Sequence, residues 1–192
     1  MPQFAEQLRF RLFKWFKPFM VSGFHSADGV FRSKVRVSNT TAILHPNFLT
    51  IGEGVFIGHH NLIDASGGLF IGEGVQITNF VSVLTHSSHQ AIRLYGDKYT
   101  LTSSPVAYRK LPVHIGEYTF IGPHSVIMPG ARIGKGAVVA AYSLVKGEVS
   151  DFSIVAGNPA VKVGDTRESD RAVINQNPEL LESYQKWASK QW

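Results

Sequence analysis

Aliphatic residues return every six positions through the middle of this chain. Ile115, Ile121, Ile127, Ile133, Val139 and Val145 mark six successive hexads, and small or polar side chains (Thr119, Ser125, Ala131, Ala137, Ser143) stand two positions before five of them. An amphipathic helix repeats its apolar stripe at about 3.6 residues and a half-buried strand at 2. A six-residue period is instead the signature of a parallel β-helix solenoid. Each hexad supplies one short strand and one corner, with the aliphatic side chain turned into a prism-shaped core. Glycine follows the aliphatic at 116, 122 and 134, which predicts that the corners need a residue free of the Cβ penalty. Stacked at about 4.8 Å, each coil pairs with the next and is not stable alone. An ordinary β-sandwich would have to produce six unbroken matches by coincidence.

The same beat begins near residue 35. Val37 and Ile43 lie six apart, then Ile51, Ile57 and Ile63, then Ile71, Ile77 and Val83. Jumps of eight, from Ile43 to Ile51 and from Ile63 to Ile71, predict two-residue insertions at corners, the second carrying Gly67–Gly68. Residues 85–112 have no six-fold pattern and hold aromatic and basic side chains before the repeat resumes at Val113. A long excursion inside a compact repeat array is usually functional.

The ends read differently. Residues 1–34 are a basic lead-in, in which Phe4, Leu8, Leu12, Trp15, Phe16 and Phe19 take helical spacing over residues 3–21 and predict an amphipathic helix ending near Pro18. That helix is too short and charged to span a bilayer and lacks the pattern of a signal peptide. It either caps the open end of the solenoid or lies on an anionic membrane surface. Residues 164–192 form a helical tail, with helical spacing at Leu181, Tyr184 and Trp187 after Pro178, expected to pack against the other end.

Composition narrows the chemistry. The 192 residues contain no Cys, so thiolate nucleophiles, disulfides and zinc–thiolate sites are excluded. A cysteine-free chain fits a cytoplasmic location, at the inner face of the membrane if the first helix binds there. The net charge of +5 belongs to the N-terminus, where seven Lys/Arg face two acids over residues 1–38. The remainder balances, so no nucleic-acid footprint is expected.

Four stretches in order, IGEGVFIGHHNLIDASGGLFIGEGVQI, VSVLTHSSH, VHIGEYTFIGPHSVIMPGARIGKGAVVAAYSLV and VAGNPAVKV, resemble the left-handed β-helix (hexapeptide-repeat) acyltransferases. The pattern is similar to that of the maltose and galactoside O-acetyltransferases and the sugar O-acetyltransferases of polysaccharide assembly, over residues 35–163. The resemblance implies an all-β solenoid, a left-handed parallel β-helix of about six coils at three hexads each. It also implies acetyl-CoA as co-substrate without a metal, a saccharide hydroxyl as acceptor, and a homotrimer with active sites between subunits. Hydroxyl is favoured over amine because the chain lacks the added nucleotide-sugar domain of many N-acyltransferases of this fold.

In that family an isolated His just before an excursion is the general base. A neutral imidazole, with an ordinary pKa of about 6.5, can take a proton from a sugar hydroxyl. His86 and His89 stand three and six positions after Val83, whereas the family places its His at five or seven. The reading ranks His89 first and His86 second. The resemblance assigns acceptor contacts to Asn61 and Asp64, which as corner residues could equally bond their own backbone. It assigns the donor site to Phe120, Ala140, Ala141, Lys146, Lys162 and Arg167, and a structural, coil-closing role to Asn158–Pro159. His25, His45 and His114 read as solvated corner residues, and His59, His60 and His124 could face a neighbouring site. Two other functions compete: a non-enzymatic trimeric scaffold, and a β-helical zinc carbonic anhydrase. The latter needs converging imidazoles with two of them five residues apart, and no His pair here has that spacing.

Overall fold

A computed structural model describes residues 17–189. The chain passes in turn through three parallel sheets, so that each inward aliphatic of the hexad pattern stacks on its equivalent one coil on. Face A aligns Val37, Ile57, Ile77, Ile121, Val139 and Val155. Face B aligns Ile43, Ile63, Val83, Ile127 and Val145, and face C aligns Ile51, Ile71, Ile115, Ile133 and Val149. This is five complete turns and the first strand of a sixth. Most strands are two or three residues long. The stability therefore comes from the continuous buried column of Ile, Leu and Val between the faces.

Glycines after the inward aliphatic serve a different purpose from the one the sequence predicts. Gly116 does not take a positive φ; a Cβ built there would lie 2.4 Å from the Lys135 backbone nitrogen of the next coil. Close approach, not conformational freedom, selects glycine at that position. The left-handed backbone conformation falls three residues after the inward aliphatic, and at the corner between faces A and B it is taken by His60, Phe80, His124 and Tyr142, each with φ of 58–59°.

Every insertion falls at the corner between faces B and C. A 3₁₀ turn, Pro46–Phe48, fills the first, Ala65–Gly68 the second, and the excursion the third. The excursion is not a bare loop. His86–Ser87 pairs antiparallel with Arg109–Lys110, and between them lie helix α1, His89–Tyr95, and a 3₁₀ helix, Gly96–Leu101.

Both ends of face A carry an antiparallel strand. Met20–His25 pairs with Phe31–Ser38 at one edge, a hairpin that the sequence pattern did not reveal. Most of the helix expected over residues 3–21 lies outside the described residues; from Met20 onward the chain is strand. At the other edge Val161–Asp165 folds back on Ser153–Ala156, through a turn whose Asn158–Pro159 peptide bond is cis. Helix α2, Thr166–Gln176, follows, in a stretch that reads as merely polar in sequence. Helix α3, Leu181–Ala188, does not pack on the end of the solenoid as expected. Trp187 lies over Tyr118 and Phe152, with centroids at 4.7 and 5.8 Å, on the corner between faces C and A, and the Lys135 ammonium donates to the Ala188 carbonyl at 2.8 Å. Among the described residues no helix is long and apolar enough to cross a membrane.

Candidate active site

Asp64 ends a face B strand, Leu62–Asp64, and enters the corner where the insertions gather. The coil here is 20 residues long, so the chain returns beside Asp64 at Thr85 and His86, just as it leaves for the excursion. The carboxylate is 1% exposed. It accepts from the Thr85 backbone N–H at 3.0 Å, the Thr85 hydroxyl at 2.7 Å, the Ser66 N–H at 3.0 Å and the Ser66 hydroxyl at 3.1 Å. His86 Nδ1 completes the set at 2.7 Å. Burial alone pushes the Asp64 carboxyl upward, but the Thr85 hydroxyl, the Ser66 and Thr85 N–H groups and His86 together outweigh it. They hold the group well below the usual carboxylate range.

An ionised carboxylate only accepts hydrogen bonds. Nδ1 of His86 therefore carries the proton of this bond, and in the neutral ring the lone pair is on Nε2. The imidazole is further fixed by the Tyr108 ring, stacked at 5.8 Å and 15°. Burial, with Tyr99 and Asp64 adding to it, raises the Tyr108 phenol, which stays protonated. A half-exposed imidazole oriented in this way is suited to taking a proton from a hydroxyl, and the buried carboxylate to stabilising the resulting imidazolium.

His89, ranked first from the sequence, is exposed as the first residue of α1. Its Nδ1 faces the Ser87 hydroxyl at 2.6 Å, and among the described residues no carboxylate bonds to it. Asn61 is 3% exposed and its amide is spent on the backbone: it donates to Gly58 and Thr78 carbonyls at 3.0 and 2.8 Å and accepts from Val81 N–H at 2.7 Å. Asn61 thus fastens a corner, and Asp64 serves His86, so neither turns a polar group outward to an acceptor.

The residues expected to hold the donor are dispersed. Phe120 is exposed on face A between Gln76 and Val138, and Ala140 and Ala141 lie at the corner between faces A and B. Lys146 is exposed at the His86 corner, two coils further on. Lys162 and Arg167 both meet Asp165, Arg167 through two bonds of 2.8 and 2.6 Å and Lys162 at 3.9 Å. Arg167 also lies over the Phe152 ring. In one chain, the His86 corner and the corner bearing Ala140 and Ala141 are different edges of the prism. His114 stands apart on face C, stacked on Phe70 at 4.5 Å; burial, and then Arg132, push its imidazole down. Among the described residues no three His, Asp or Glu side chains converge as a metal site.

Sequence reasoning missed Ser66, Thr85 and Tyr108. The signal for the first two was present: in a 20-residue coil, Asp64 and Ser66 must meet residues 84–86.

Comparisons with known proteins agree with this fold. Residues 112–147 match the family described as bacterial transferase hexapeptide (six repeats). A protein of Saccharomyces cerevisiae that carries the name acetyltransferase is 31% identical over 138 residues, covering 68% of this chain and 65% of its own length. Serine acetyltransferase 4 of Arabidopsis thaliana is 34% identical over 152 residues, covering 78% of this chain and 37% of its own. The matches span about one quarter to two thirds of the length of the curated relatives. Among solved structures, a galactoside acetyltransferase in complex with coenzyme A superposes with a TM-score of 0.58 at 24% identity, over 68% of this chain and 62% of that one. An N-acyltransferase from Bacillus cereus, in complex with dTDP-4-amino-4,6-dideoxyglucose and coenzyme A, gives 0.59 at 22% identity, over 78% and 88%. That enzyme is matched over most of its length.

Proposed function

We propose that this chain, which carries the bacterial transferase hexapeptide repeat over residues 112–147, is an acyl-CoA-dependent O-acetyltransferase with a left-handed β-helix and a saccharide hydroxyl as acceptor. The observation that carries this reading is the 2.7 Å bond from His86 Nδ1 to the buried Asp64 carboxylate. His86, rather than His89, is the base. Its Nε2 takes the proton as the acceptor oxygen attacks the thioester carbonyl of acetyl-CoA. The tetrahedral intermediate collapses with cleavage of the C–S bond, and the proton held on His86 goes to the departing coenzyme A sulfur. Asp64 holds the tautomer and steadies the imidazolium without itself taking the proton. A positioned base contributes on the order of 10²–10⁴ in rate.

The donor residues belong to a neighbouring copy in a homotrimer. Phe120 on face A and Ala140 and Ala141 at the corner between faces A and B would supply the wall for the donor, and the His86 corner of one subunit, which also bears Lys146, would face the Ala140 corner of the next. The excursion supports such a contact: Leu101 and Val106 are 85% and 75% exposed, an apolar surface suited to cover by a second copy.

The test is free-thiol release from acetyl-CoA over a panel of mono-, oligo- and lipid-linked saccharides, with His86→Ala and His89→Ala beside the wild type. The expected result is release with one saccharide class, abolished by His86→Ala and retained by His89→Ala. Acetyl-CoA that fails to raise the melting temperature, together with no release from any saccharide, would move a non-enzymatic scaffold to the front.

A further inference from the structure

The excursion bears an open cleft of about 780 Å³, one residue away from His86. Its shared wall is Tyr108, which stacks on the His86 imidazole on one side and lines the cleft on the other. The rest of the lining is rich in hydroxyls: Tyr99, Thr100, Ser103 and Ser104 contribute to it, and among the described residues that line it there is no carboxylate. Ser103 and Ser104 make no hydrogen bond to the described residues. The Thr100 and Thr102 hydroxyls donate to the Asp97 and Lys98 carbonyls and keep acceptor capacity; with the two serine hydroxyls beside the tyrosine rings they suit a sugar, whose own hydroxyls both donate and accept.

One cation lines the cleft. Lys110 is exposed, and among the described residues no acid pairs with it. Its place is set by the antiparallel ribbon at the root of the excursion, where it is the direct cross-strand partner of His86. Direct partners emerge on the same face with Cβ atoms about 5 Å apart. His86 and Lys110 therefore leave the ribbon side by side on one face. Arg109, the next residue, is instead turned to the Gln90 side-chain oxygen at 3.2 Å.

We infer that the acceptor is an anionic saccharide, a sugar ring bearing a carboxylate or a phosphate that Lys110 pairs with while His86 addresses a hydroxyl of the same ring. This rests on the transferase reading above and narrows its substrate. A neutral sugar gains nothing from the ammonium's charge, whereas an anionic one meets it in a cleft whose lining holds no acid to compete.

The experiment measures binding by ligand-observed NMR and calorimetry on the full chain. The probes are methyl glycosides of glucose, galactose and mannose, the corresponding uronic acids, and the corresponding hexose 6-phosphates, with acetyl-CoA as a separate ligand. Wild type should bind one anionic series at least about tenfold more tightly than its neutral counterpart, and which series it is distinguishes carboxylate from phosphate. Lys110→Met should erase that preference and leave acetyl-CoA binding and the melting temperature unchanged, and Lys110→Arg should retain it. Equal binding of neutral and anionic sugars, binding of none of them, or weaker acetyl-CoA binding in Lys110→Met would overturn the inference, the last by assigning Lys110 to the donor. Thiol release in the same mixtures reports on the transferase separately: turnover without a charge preference sinks only the inference, and charge-selective binding without turnover sinks only the enzyme.

Discussion

Asp64 and His86 are separated by one turn of the solenoid and joined by a 2.7 Å bond between Oδ2 and Nδ1. The repeat brings them together, and the break in the repeat frees the imidazole. A His on a regular hexad would be fixed between neighbouring coils, whereas the start of the excursion leaves His86 half-exposed against a carboxylate anchored in the coil before.

Asp64→Asn separates orientation from proton transfer. An amide keeps the shape but offers one oxygen to the Thr85, Ser66 and His86 donors that now share two. Leaving buried donors unpaired costs about 1–3 kcal/mol of stability. The imidazole also loses its reason to carry the proton on Nδ1, and activity should fall on the order of 10–100-fold with acetyl-CoA affinity unchanged. Because the folded pKa is depressed, the contribution of Asp64 to stability is complete above about pH 4 and is lost as pH falls from there. Acid denaturation of the wild type and Asp64→Asn should converge accordingly; curves that stay parallel below pH 4 would refute the role given to the carboxylate.

The hexad pattern made the three faces legible because every inward position answers to one spacing. What it did not show was governed by other forces. The Met20–His25 hairpin has no six-fold beat because it is an antiparallel cap. Thr166–Gln176 hides its helix because Asp165 starts it through a side-chain bond to Arg167 N–H, with few apolar residues to mark a face. The choice between His86 and His89 depended on a partner a full coil away. The family spacings of five and seven residues, against three and six here, could not decide it, whereas coil length places Asp64 beside His86.

Two glycines should respond oppositely to asparagine. Gly147 has φ of 76° and open space around its Cβ position, whereas Gly116 would place a Cβ 2.4 Å from Lys135 N. Asn tolerates the left-handed region, so Gly147→Asn should cost little. Gly116→Asn forces the coils apart and should cost about 1–3 kcal/mol or more. Chemical denaturation midpoints of both variants decide the matter, and equal losses would mean that conformation, not approach, selects Gly116.

Asp165 should set an acid limit on the C-terminal helices. Its carboxyl is lowered to about 2, first by the side-chain bonds from Arg167, which outweigh the opposing effect of burial, and further by the Arg167 N–H, the Arg167 charge and Lys162. A depressed folded value means stabilisation that is present above the ordinary carboxyl range and lost as pH falls towards about 2. Hydrogen exchange along residues 166–176 should quicken between pH 4 and 2 relative to the solenoid strands. Asp165→Ala should show the faster exchange already at neutral pH. Exchange that tracks the strands throughout would leave the cap without a role.

The aromatic column at the corner of faces A and B predicts an inverted order of stability. Phe80 stacks between His60 and His124, at 5.1 and 4.9 Å, with its backbone at φ 59°. The left-handed conformation costs a residue with a Cβ about 1–2 kcal/mol, and each stacked pair returns about 0.5–1.5 kcal/mol. Phe80→Ala removes both stacks and keeps the backbone cost. Phe80→Gly removes both stacks and relieves it. Glycine should therefore be the more stable of the two variants by about 1 kcal/mol, contrary to the usual advantage of alanine. Thermal and denaturant unfolding of the pair measure this directly. An alanine variant as stable as the glycine one would mean that the corner relaxes out of the left-handed region once the ring is gone, and that stacking is what holds it there.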